Sequence, residues 1–288
     1  MLEMQMDEQR VRELKIIGQR IREDVLEGTY HAQCGHPGGS MSIADVLALL
    51  YFEVMNIDPQ NPQMPDRDRF ILSKGHCAPG YYGALAERGF FPKEEIRKLR
   101  QLDGILQGHP DAKSTPGVDA CSGSLGQGLS VGAGMAIAAM KAGQSYRVFV
   151  MLGDGEIEEG QVWEAAMCAA HYKLDHLTAF VDFNGMQIDG YIADIMSPLP
   201  IDQKFEAFGW NVIAVDGHDY HQIMAAIECA RACPGRPTMI LLKTIKGKGV
   251  SFMEGNLAWH GMAPNIDQYR QGMQELEESI SALEAQSA

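Results

Sequence analysis

The 288-residue sequence lacks the features that mark several other classes of protein. Its six cysteines form no Cys-x-x-Cys pair, and several lie among apolar residues or glycines, which favours reduced thiols over a disulfide framework. No apolar run approaches the length of a transmembrane helix, and residues 1–24 carry too many charges for a signal peptide. Internal repeats and low-complexity linkers are also absent. These absences predict a soluble cytoplasmic protein.

Positive charge is scarce as well. The sequence has 24 lysine and arginine residues against 38 aspartate and glutamate residues, so its formal net charge is −14. A field of this sign repels nucleic-acid backbones and anionic membranes, and we expect neither as a partner. An anionic ligand would require a metal ion or a local concentration of hydrogen-bond donors. With 45% apolar and 22% charged residues, the chain has the composition of a globular protein with a substantial core.

Helical and strand patterns alternate along most of the chain. Apolar residues at helical spacing predict an amphipathic helix over 7–27, and a second helix is predicted to begin near Ser42, a residue suited to an N-cap. A later helix is predicted to stop at Gly89. Because the strands are apolar on both faces and are separated by helices, we predict a doubly wound α/β domain whose parallel sheet has helices on both faces. The predicted strands are 69–73, 146–152, 177–183, 210–215 and 238–244, and the helices between them include 160–172, 201–208 and 219–232.

Two polar turns follow neighbouring strands of this predicted sheet. Gly153, Asp154 and Gly155 end one strand, and Asn184 lies just beyond the next. Ligands of such sheets bind at the carboxyl ends of the strands, so we expect the side chains of Asp154 and Asn184 to lie close together. A carboxylate, an amide oxygen and a nearby backbone carbonyl form an oxygen shell suited to Mg²⁺, Ca²⁺ or Mn²⁺, which a diphosphate would complete. The alternative is that Asp and Asn only favour turns at strand ends.

The segments around these turns resemble the transketolase family. Gly-Asp-Gly followed about thirty residues later by Asn is the thiamine diphosphate motif, and seven segments stand in the order typical of transketolases. The resemblance extends from about residue 10 to residue 265. The segments are CGHPGGS (34–40), DRDRFILSKGH (66–76), QGHPD (107–111), SGSLGQGLS (122–130), GDGEIEEGQVWEAA (153–166), DFNGMQIDG (182–190) and DGHD (216–219).

The resemblance implies a diphosphate-binding (PP-type) domain with thiamine diphosphate and a divalent metal ion, Mg²⁺ first, as cofactors. It implies that Asp154, Asn184 and the carbonyl of Met186 hold the metal ion. It also implies that Gly123 and Leu125 contact the aminopyrimidine end of the cofactor. The implied cofactor-binding residues are His76, Gly123, Ser124, Leu125, Gly153, Asp154, Gly155, Glu156, Asn184 and His260.

Four histidines match active-site histidines of the family. Each lies in a loop flanked by glycine or proline, and each would donate hydrogen bonds to substrate hydroxyls and pass protons. Without the resemblance, a histidine in such a loop is expected to be a surface or hydrogen-bonded residue. We keep that interpretation for His218, in a turn before a helix that Asp219 caps. The four matching residues are His36, His76, His109 and His260.

Four glutamates follow the Gly-Asp-Gly turn. Glu159 and Glu164 match glutamates that lie at the dimer interface of the family and link its two active sites, where like charges raise one another's pKa. The resemblance therefore implies a catalytic role for both in proton relay. For Glu156 and Glu158, the dipole of the following helix is sufficient to explain acidic residues in a solvated first turn.

The resemblance covers only one half of the family's architecture. In transketolases the glutamate that activates the cofactor comes from a second, pyrimidine-binding domain. Here the sequence shows one α/β domain, residues 1–265, and a polar helix over 266–288. The resemblance thus implies the N-terminal subunit of a split transketolase, active only with a separate C-terminal subunit in an α₂β₂ assembly. The implied reaction moves a two-carbon ketol unit from a ketose, or its phosphate, to an aldose, or its phosphate.

Four positions depart from the family pattern. Cys34 and Ser124 stand where Ser and Pro are common, Lys74 stands where Asn is usual, and Phe183 replaces an Asp. None of these changes removes an implied ligand. Lys74 and Cys34 are expected to alter the substrate pocket, which bears on whether pentose phosphates are the substrates.

Three alternatives stay open on the sequence. The segment GQGLSVGAG (126–134) imitates a dinucleotide-binding loop, although a poor strand precedes it. A second possibility keeps the cofactor and changes the reaction, as in deoxyxylulose-phosphate synthase or the α-subunit of an oxo-acid dehydrogenase. The third is a non-catalytic half that acts as a scaffold.

Overall fold

The computed structural model describes residues 6–286, and its centre is a parallel sheet. Five parallel strands stand in the order β1-β2-β3-β7-β6, and β4 and β5 form a separate antiparallel hairpin after β3. The predicted doubly wound α/β fold is confirmed, with strand ends placed to within about two residues. The strands are β1 (Arg69–Leu72), β2 (Val148–Gly153), β3 (Leu177–Phe183), β4 (Met186–Gln187), β5 (Gly190–Tyr191), β6 (Asn211–Asp216) and β7 (Thr238–Lys243).

Helices connect the strands and cover the sheet. The helix after β1 ends at Gly89, whose φ of 93° lies in the left-handed region, as predicted. Within residues 6–286, no helix combines the length and the apolar character that crossing a membrane requires. The α-helices are α1 (Glu8–Ala32), α2 (Pro37–Ser42), α3 (Ala44–Leu49), α4 (Ala78–Arg88), α5 (Gln127–Ala142), α6 (Gly160–His171), α7 (Ile192–Ile195), α8 (Ile201–Ala207), α9 (Tyr220–Arg231) and α10 (Ile266–Ala285).

Each central strand contributes to two hydrophobic cores. Successive side chains of a strand point to opposite faces of the sheet, so an apolar strand can bury both. In β2, Val148 and Val150 face the core that α5, α6 and α8 cover. Phe149 and Met151 face the other core, which α1, α3, α4 and α9 cover. This double burial explains why the strands read as continuous apolar runs.

The last helix packs on the first. Leu276 of α10 is buried with Val25 and Leu26 of α1, and the ring of Tyr269 stacks on Tyr30 at 4.3 Å between centroids. At its start, α10 has a capping box in which Asn265 and Gln268 exchange hydrogen bonds with the backbone. The predicted helix also included residues 287 and 288, which lie outside the described residues.

The predicted N-cap at Ser42 is wrong. Pro37 occupies the first position of α2, so a helix has already begun there, and Ser42 is its last residue. The chain then changes direction at Ile43, whose ψ is 1°, before α3 starts. The hydroxyl of Ser42 instead donates to Asp182 Oδ2 at 2.7 Å. The Ser42 hydroxyl therefore bonds to a buried carboxylate and does not cap a helix, as had been expected.

The dinucleotide-binding alternative is also wrong. α5 does begin after Gly126, as a dinucleotide loop would require. However, residues 119–126 of the described chain contain no strand, so the strand-loop-helix unit that holds a pyrophosphate is not formed. The glycines of this segment allow close packing instead, since a Cβ on Gly128 would overlap the side chain of Ser73.

The strand order brings several carboxyl ends to one edge. Gly153 of β2 lies beside Asp182 of β3, and Phe183 of β3 lies beside Lys243 of β7. The segments that follow β1, β2, β3 and β7 consequently leave the sheet next to one another. This edge carries the polar residues described next.

Candidate active site

The turns after β2 and β3 lie against each other. Asp154 Oδ1 accepts a hydrogen bond from the Gly155 amide at 2.9 Å, and its Oδ2 accepts one from the Gly185 amide at 2.6 Å. Asn184 Oδ1 accepts from the Met186 amide at 3.1 Å. The two strand ends are therefore close together, as expected from the parallel sheet. The metal-binding role of these residues stays a prediction.

A cavity of about 170 Å³ opens above these turns. It gathers most of the residues that the sequence analysis proposed. The proposed residues that line it are His76, Leu125, Gly153, Asp154, Gly155, Glu156, Asn184, Met186 and His260. The other lining residues are Gly39, Lys74, Asp182, Gln187, Ile188, Asp189 and Lys246. The proposed residues outside this lining are His36, His109, Gly123, Ser124, Glu159 and Glu164.

The donor set around Asp154 fits a divalent cation. Asp154 is buried, and no salt bridge within residues 6–286 includes it. Burial, followed by the nearby charge of Asp182, raises the pKa of Asp154 to about 7. A buried carboxylate of this kind would be stabilised by a cation, for which the Asn184 amide oxygen and the Met186 carbonyl would be further oxygen ligands. We infer that Mg²⁺ suits this position.

Gln187 offers a hydrogen-bond donor for an anionic ligand. Its side chain lies over Gly155, where an added Cβ would meet it at 3.1 Å. Its Nε2 is buried and makes no well-formed hydrogen bond within the part of the chain that the structure describes. The Gln187 side chain does interact with the Glu158 carboxylate, but without that geometry. A buried donor without a well-formed hydrogen bond is costly, so an oxygen of a bound ligand would satisfy it. The only sequence signal for this residue was its place two residues after the Asn-Gly turn.

Three of the proposed histidines form one cluster. The centroid of the His36 ring lies 5.1 Å from that of His76 and 5.4 Å from that of His260, and the centroids of His76 and His260 are 5.2 Å apart. Burial lowers the pKa of His36 and of His76 to about 4 and that of His260 to about 3, and neighbouring charges add to the effect. The cluster is therefore neutral at pH 7 and can both donate and accept hydrogen bonds.

The fourth histidine lies beside the cluster, on another loop. The ring of His109 lies 3.4 Å from the position of a Cβ on Gly123, whose φ of 149° is in a region that glycine favours. Burial lowers the pKa of His109, and the charge of Arg100 lowers it further. His109 and Gly123 are thus brought together, although neither lines the cavity.

Lys246 is a cavity residue that the sequence analysis missed. Its Nζ lies 2.9 Å from His260 Nδ1 and 3.4 Å from the Met186 carbonyl oxygen. The Lys246 ammonium can only donate, so Nδ1 of His260 accepts the hydrogen bond. The proton of the neutral His260 ring is therefore on Nε2. Burial lowers the pKa of Lys246. The available signal was its position just after β7, at the same edge of the sheet as Asp154.

The histidine cluster predicts a loss of stability in acid. The folded pKa values of about 3 to 4 lie below the ordinary histidine pKa of 6.5, so between these limits the unfolded chain binds more protons. The contribution of the cluster to the free energy of unfolding has its full value above pH 6.5, and it falls as the pH is lowered toward 4. We expect His260→Gln to lose less stability than the parent between pH 7 and pH 4.5 in denaturant titrations.

The pH dependence of the free energy of unfolding has contributions from other groups, so the test is the difference in this dependence between the parent and the variant. Asp154, with its raised pKa, contributes the opposite slope, because its folded form binds more protons between its unfolded value and pH 7. His221→Gln is the matched control, since that ring is half-exposed and contacts Glu8 far from the cavity. Equal pH slopes for the parent and His260→Gln would contradict the prediction.

Glu156 is not solvated, contrary to the expectation from the helix dipole. Only 3% of it is exposed, and its Oε1 accepts hydrogen bonds from Ser73 Oγ and, at 2.9 Å, from the Gly126 amide. Its Oε2 accepts from the Gly153 amide at 2.9 Å. Three hydrogen-bond donors from separate segments therefore stabilise the Glu156 carboxylate in a buried position. Glu158, by contrast, is partly exposed, in agreement with a place near solvent.

Glu159 and Glu164 are exposed and lie away from the cavity, at the start of α6. The same pair of contacting helices also exposes apolar side chains, with Met167 of α6 61% exposed and Val131 of α5 38% exposed. The proposed relay between subunits stays a prediction for both glutamates.

His218 has a larger role than the expected turn. The predicted cap is confirmed, since the Asp219 side chain accepts from the amides of the first turn of α9. In addition, His218 Nδ1 lies 2.7 Å from Asp45 Oδ2, and its Nε2 accepts from the Ile245 amide at 2.9 Å. The ring thus connects a buried carboxylate to the loop that carries Lys246.

The two departures expected to alter the substrate pocket differ in the structure. Lys74 lines the cavity, but its ammonium is engaged by Asp182 Oδ2 at 2.6 Å and the Gly39 carbonyl at 2.9 Å. Lys74 thus forms part of the cavity wall with its charge paired to a buried carboxylate, and its effect on the substrate pocket stays a prediction. Cys34 is partly exposed and does not line the cavity.

Comparison with known proteins identifies the family. A family model described as "Transketolase, thiamine diphosphate binding domain" matches residues 15–277, which is most of the chain. The chain belongs to the transketolase family. The resemblance drawn from the seven sequence segments is thereby confirmed, and the cavity lies in a thiamine diphosphate-binding domain.

Similar transketolases fall into two groups by length. One group has chains of similar size: a 6-deoxy-6-sulfo-D-fructose transketolase subunit (SqwG) of Clostridium sp. strain MSTE9 is 48% identical over 89% of this chain and 94% of its own. A subunit of the apulose-4-phosphate transketolase of Phocaeicola vulgatus is 39% identical over 96% of this chain and 98% of its own. In the other group, human transketolase is 40% identical over 96% of this chain but only 44% of its own.

Solved transketolase structures share the fold. A transketolase variant from Pichia stipitis superimposes with a TM-score of 0.87 and 30% identity over 92% of this chain and 41% of its own. Transketolase from Campylobacter jejuni gives 0.86 and 29% over 94% of this chain and 43% of its own. The chain therefore spans less than half the length of these transketolases.

Proposed function

We propose that this chain is the thiamine diphosphate-binding, N-terminal subunit of a two-chain transketolase. Its reaction is the transfer of a two-carbon ketol unit from a ketose, or its phosphate, to an aldose, or its phosphate. The observation that carries the proposal is the buried Asp154 carboxylate beside Asn184 and the histidine cluster, in a family with this cofactor. Relatives of matching length are named as transketolase subunits, which supports the division into two chains.

In this proposal the edge of the sheet holds the diphosphate end of the cofactor. Asp154, Asn184 and the Met186 carbonyl hold Mg²⁺, and Gln187 donates to a phosphate oxygen. Gly153 and Gly155 allow the backbone to approach the diphosphate, while Gly123, Ser124 and Leu125 contact the pyrimidine end. When bound, thiamine diphosphate supplies the electron sink for breaking a carbon–carbon bond beside a carbonyl group.

Neutral histidines suit the sugar side of this reaction. A sugar carbon chain presents hydroxyls, which need both donors and acceptors. His260 holds its proton on Nε2 because Lys246 occupies Nδ1, so it donates to a substrate oxygen. His36 and His76, with pKa values near 4, stay uncharged at pH 7 and complete the donor set. His109 extends the set from its neighbouring loop.

The partner chain is proposed to cover the apolar rim of the cavity. Hairpin β4-β5 and α7 expose Ile188 (68%), Tyr191 (51%), Ile195 (47%) and Met196 (62%). Ile188 also lines the cavity, so a chain that covers this rim would contact the cofactor. We propose that this partner brings the glutamate that activates the cofactor. The apolar face of α5 and α6 with Glu159 and Glu164 would then pair two copies of this chain in an α₂β₂ assembly.

Reduced cysteines support a cytoplasmic location. All six are unpaired in the structure. We infer that the two-chain enzyme works in the cytoplasm.

The proposal is tested by assembling the two chains. The purified chain, its partner and their mixture are assayed with Mg²⁺, thiamine diphosphate and an aldose acceptor, using 6-deoxy-6-sulfo-D-fructose, apulose 4-phosphate and fructose 6-phosphate as donors. We expect a product two carbons longer than the acceptor only in the mixture. Transfer by this chain alone would overturn the division of the enzyme into two chains. If calorimetry detects no thiamine diphosphate binding to the mixture, a scaffold role is favoured instead.

A further inference from the structure

A buried ion pair lies directly beneath the cavity. Lys74, two residues after β1, donates from Nζ to Asp182 Oδ2 at 2.6 Å, and Asp182 lies near the end of β3. Lys74 is 2% exposed and Asp182 is fully buried. A buried ion pair is rarely more stabilising than a well-packed pair of apolar side chains of similar volume. Stability alone therefore does not explain an ion pair at this position.

Asp182 gathers donors from four segments of the chain. Its Oδ2 accepts from Lys74 Nζ, from Ser42 Oγ at 2.7 Å and from Asn184 Nδ2 at 3.0 Å. Its Oδ1 accepts from Thr244 Oγ1. Both carboxylate oxygens are thus engaged, and the Asp182 side chain has no freedom to rotate without breaking several of these bonds. The ends of β1, β3 and β7 and the end of α2 are joined at one carboxylate.

This arrangement fixes the orientation of the Asn184 amide. An amide has one accepting and one donating end, and rotation of the group by half a turn exchanges them. Because the ionised Asp182 only accepts, the donating Nδ2 of Asn184 must face it. The accepting Oδ1 then lies on the other side, where it meets the Met186 amide in the turn beside Asp154. The reversed amide would place oxygen against oxygen at Asp182.

Lys74 also sets the charge of the site. Two buried carboxylates, Asp154 and Asp182, lie near each other at the ends of adjacent strands, so their negative charges repel each other. The ammonium of Lys74 compensates Asp182, which leaves Asp154 as the carboxylate that a cation is needed to balance. Lys74 additionally donates to the Gly39 carbonyl, so it anchors α2 to the same point.

We propose that Lys74 and Asp182 are positioning residues that turn the amide oxygen of Asn184, and not its nitrogen, toward the divalent cation. This inference rests on the metal role of Asn184 in the proposed function. Lys74, a departure from the family pattern in sequence, is in this account part of a device that orders a ligand. Neither residue is proposed to bind the cation or the substrate directly.

The test replaces the ion pair by apolar side chains of similar shape. In the double variant Lys74→Met with Asp182→Leu, no buried charge is left unpaired, so the chain retains its fold, which thermal unfolding checks. The Asn184 amide, however, loses the acceptor that orders it. We expect Mn²⁺ affinity, measured by electron paramagnetic resonance on the two-chain complex with thiamine diphosphate, to fall about 10- to 100-fold.

A matched control removes a second buried ion pair, which lies near the other end of β1. Arg67 and Asp119 pair at 2.6 Å, and Asp119 also accepts from the Phe70 amide at the opposite end of β1. The double variant Arg67→Met with Asp119→Leu is expected to change thermal stability but to leave Mn²⁺ affinity within about twofold of the parent. Equal Mn²⁺ affinity in the parent and in the Lys74/Asp182 variant would overturn the inference.

A measurement on the metal-free parent chain separates this inference from the proposed function. With ¹⁵N-labelled asparagine, the side-chain amide protons of Asn184 are expected to exchange slowly with solvent, because Asp182 holds them. If they exchange as fast as those of the exposed Asn256, the positioning device does not exist, whatever the complex binds. If they are protected while the parent complex binds no Mn²⁺, the positioning stands and the metal role is wrong.

Discussion

Replacing Asp154 with Asn is expected to lower the affinity of the two-chain complex for Mg²⁺ with thiamine diphosphate by about 100-fold or more, equivalent to about 2.8 kcal/mol. The Asp154 side chain is buried, and its own chain supplies two backbone amides but no salt bridge within the described residues. Asn keeps the shape of the side chain and removes the charge that attracts the cation. Calorimetric titration of the parent and variant complexes measures the difference.

The same substitution has the opposite effect on the metal-free chain. A carboxyl whose folded pKa is raised to about 7 is costly to ionise in the fold, and this cost is fully present above pH 7 and absent below its unfolded value of 3.8. In the Asp154→Asn chain one of the two backbone amides at this position loses its acceptor, which costs less than ionising the buried carboxyl. At pH 8 the metal-free variant is therefore expected to be more stable than the parent. A gain in stability together with a loss of binding excludes misfolding as the cause of the loss.

Asp189→Asn is the control for charge alone. Asp189 lines the same cavity but is exposed on the tip of the β4-β5 hairpin. Its replacement changes the net charge by the same amount and is expected to leave cofactor affinity within about threefold, since exposed charges contribute little. If the two variants bind the cofactor equally well, Asp154 is not a metal ligand.

Replacing His260 with Ala is expected to lower kcat/KM for ketol transfer by about 100- to 10,000-fold, the usual contribution of a positioned proton donor. His260 lies within the histidine cluster, and the ammonium of Lys246 at 2.9 Å from Nδ1 keeps its proton on Nε2. Alanine removes the donor and leaves the proposed metal ligands Asp154 and Asn184 unchanged. Initial rates of the two-chain complex with saturating cofactor measure the effect.

Cofactor binding and a distant histidine serve as controls for this variant. Thiamine diphosphate affinity is expected to change by less than about tenfold, because the proposed function places the diphosphate mainly at Asp154. His221→Ala, in a half-exposed ring on α9 that contacts Glu8, is expected to retain full activity. A His260→Ala complex that transfers ketol units within about twofold of the parent rate would show that Nε2 has no part in the reaction.

Features that depend on short stretches of chain could be predicted from the sequence. The apolar runs of β2 and β3 are buried on both faces, so they stand out without knowledge of their neighbours. The turn glycines and the acidic and amide residues that follow these strands are equally local. Asp154 and Asn184 could be paired because consecutive parallel strands usually lie side by side. Cap residues such as Asp219 and Asn265 follow the same logic.

Predictions failed where a distant side chain competes for a local group. Ser42 was expected to cap a helix, but the carboxylate of Asp182, 140 positions away in the chain, takes its hydroxyl. Glu156 was expected in solvent because of the helix dipole, but donors from Ser73, Gly126 and Gly153 outweigh that weak surface effect. In each case a buried hydrogen bond to a charge is stronger than the local preference.

The sequence by itself determined the doubly wound α/β fold, the family and the two turns that carry Asp154 and Asn184, because periodicity and turn chemistry are properties of neighbouring residues. The tertiary structure alone decided that β7 lies beside β3, which brings Thr244 to Asp182 and Lys246 to His260. It also decided that the ammonium of Lys74 pairs with Asp182. These contacts join chain segments that are far apart in sequence, and which of them meet is fixed only when all strands have taken their places in the sheet.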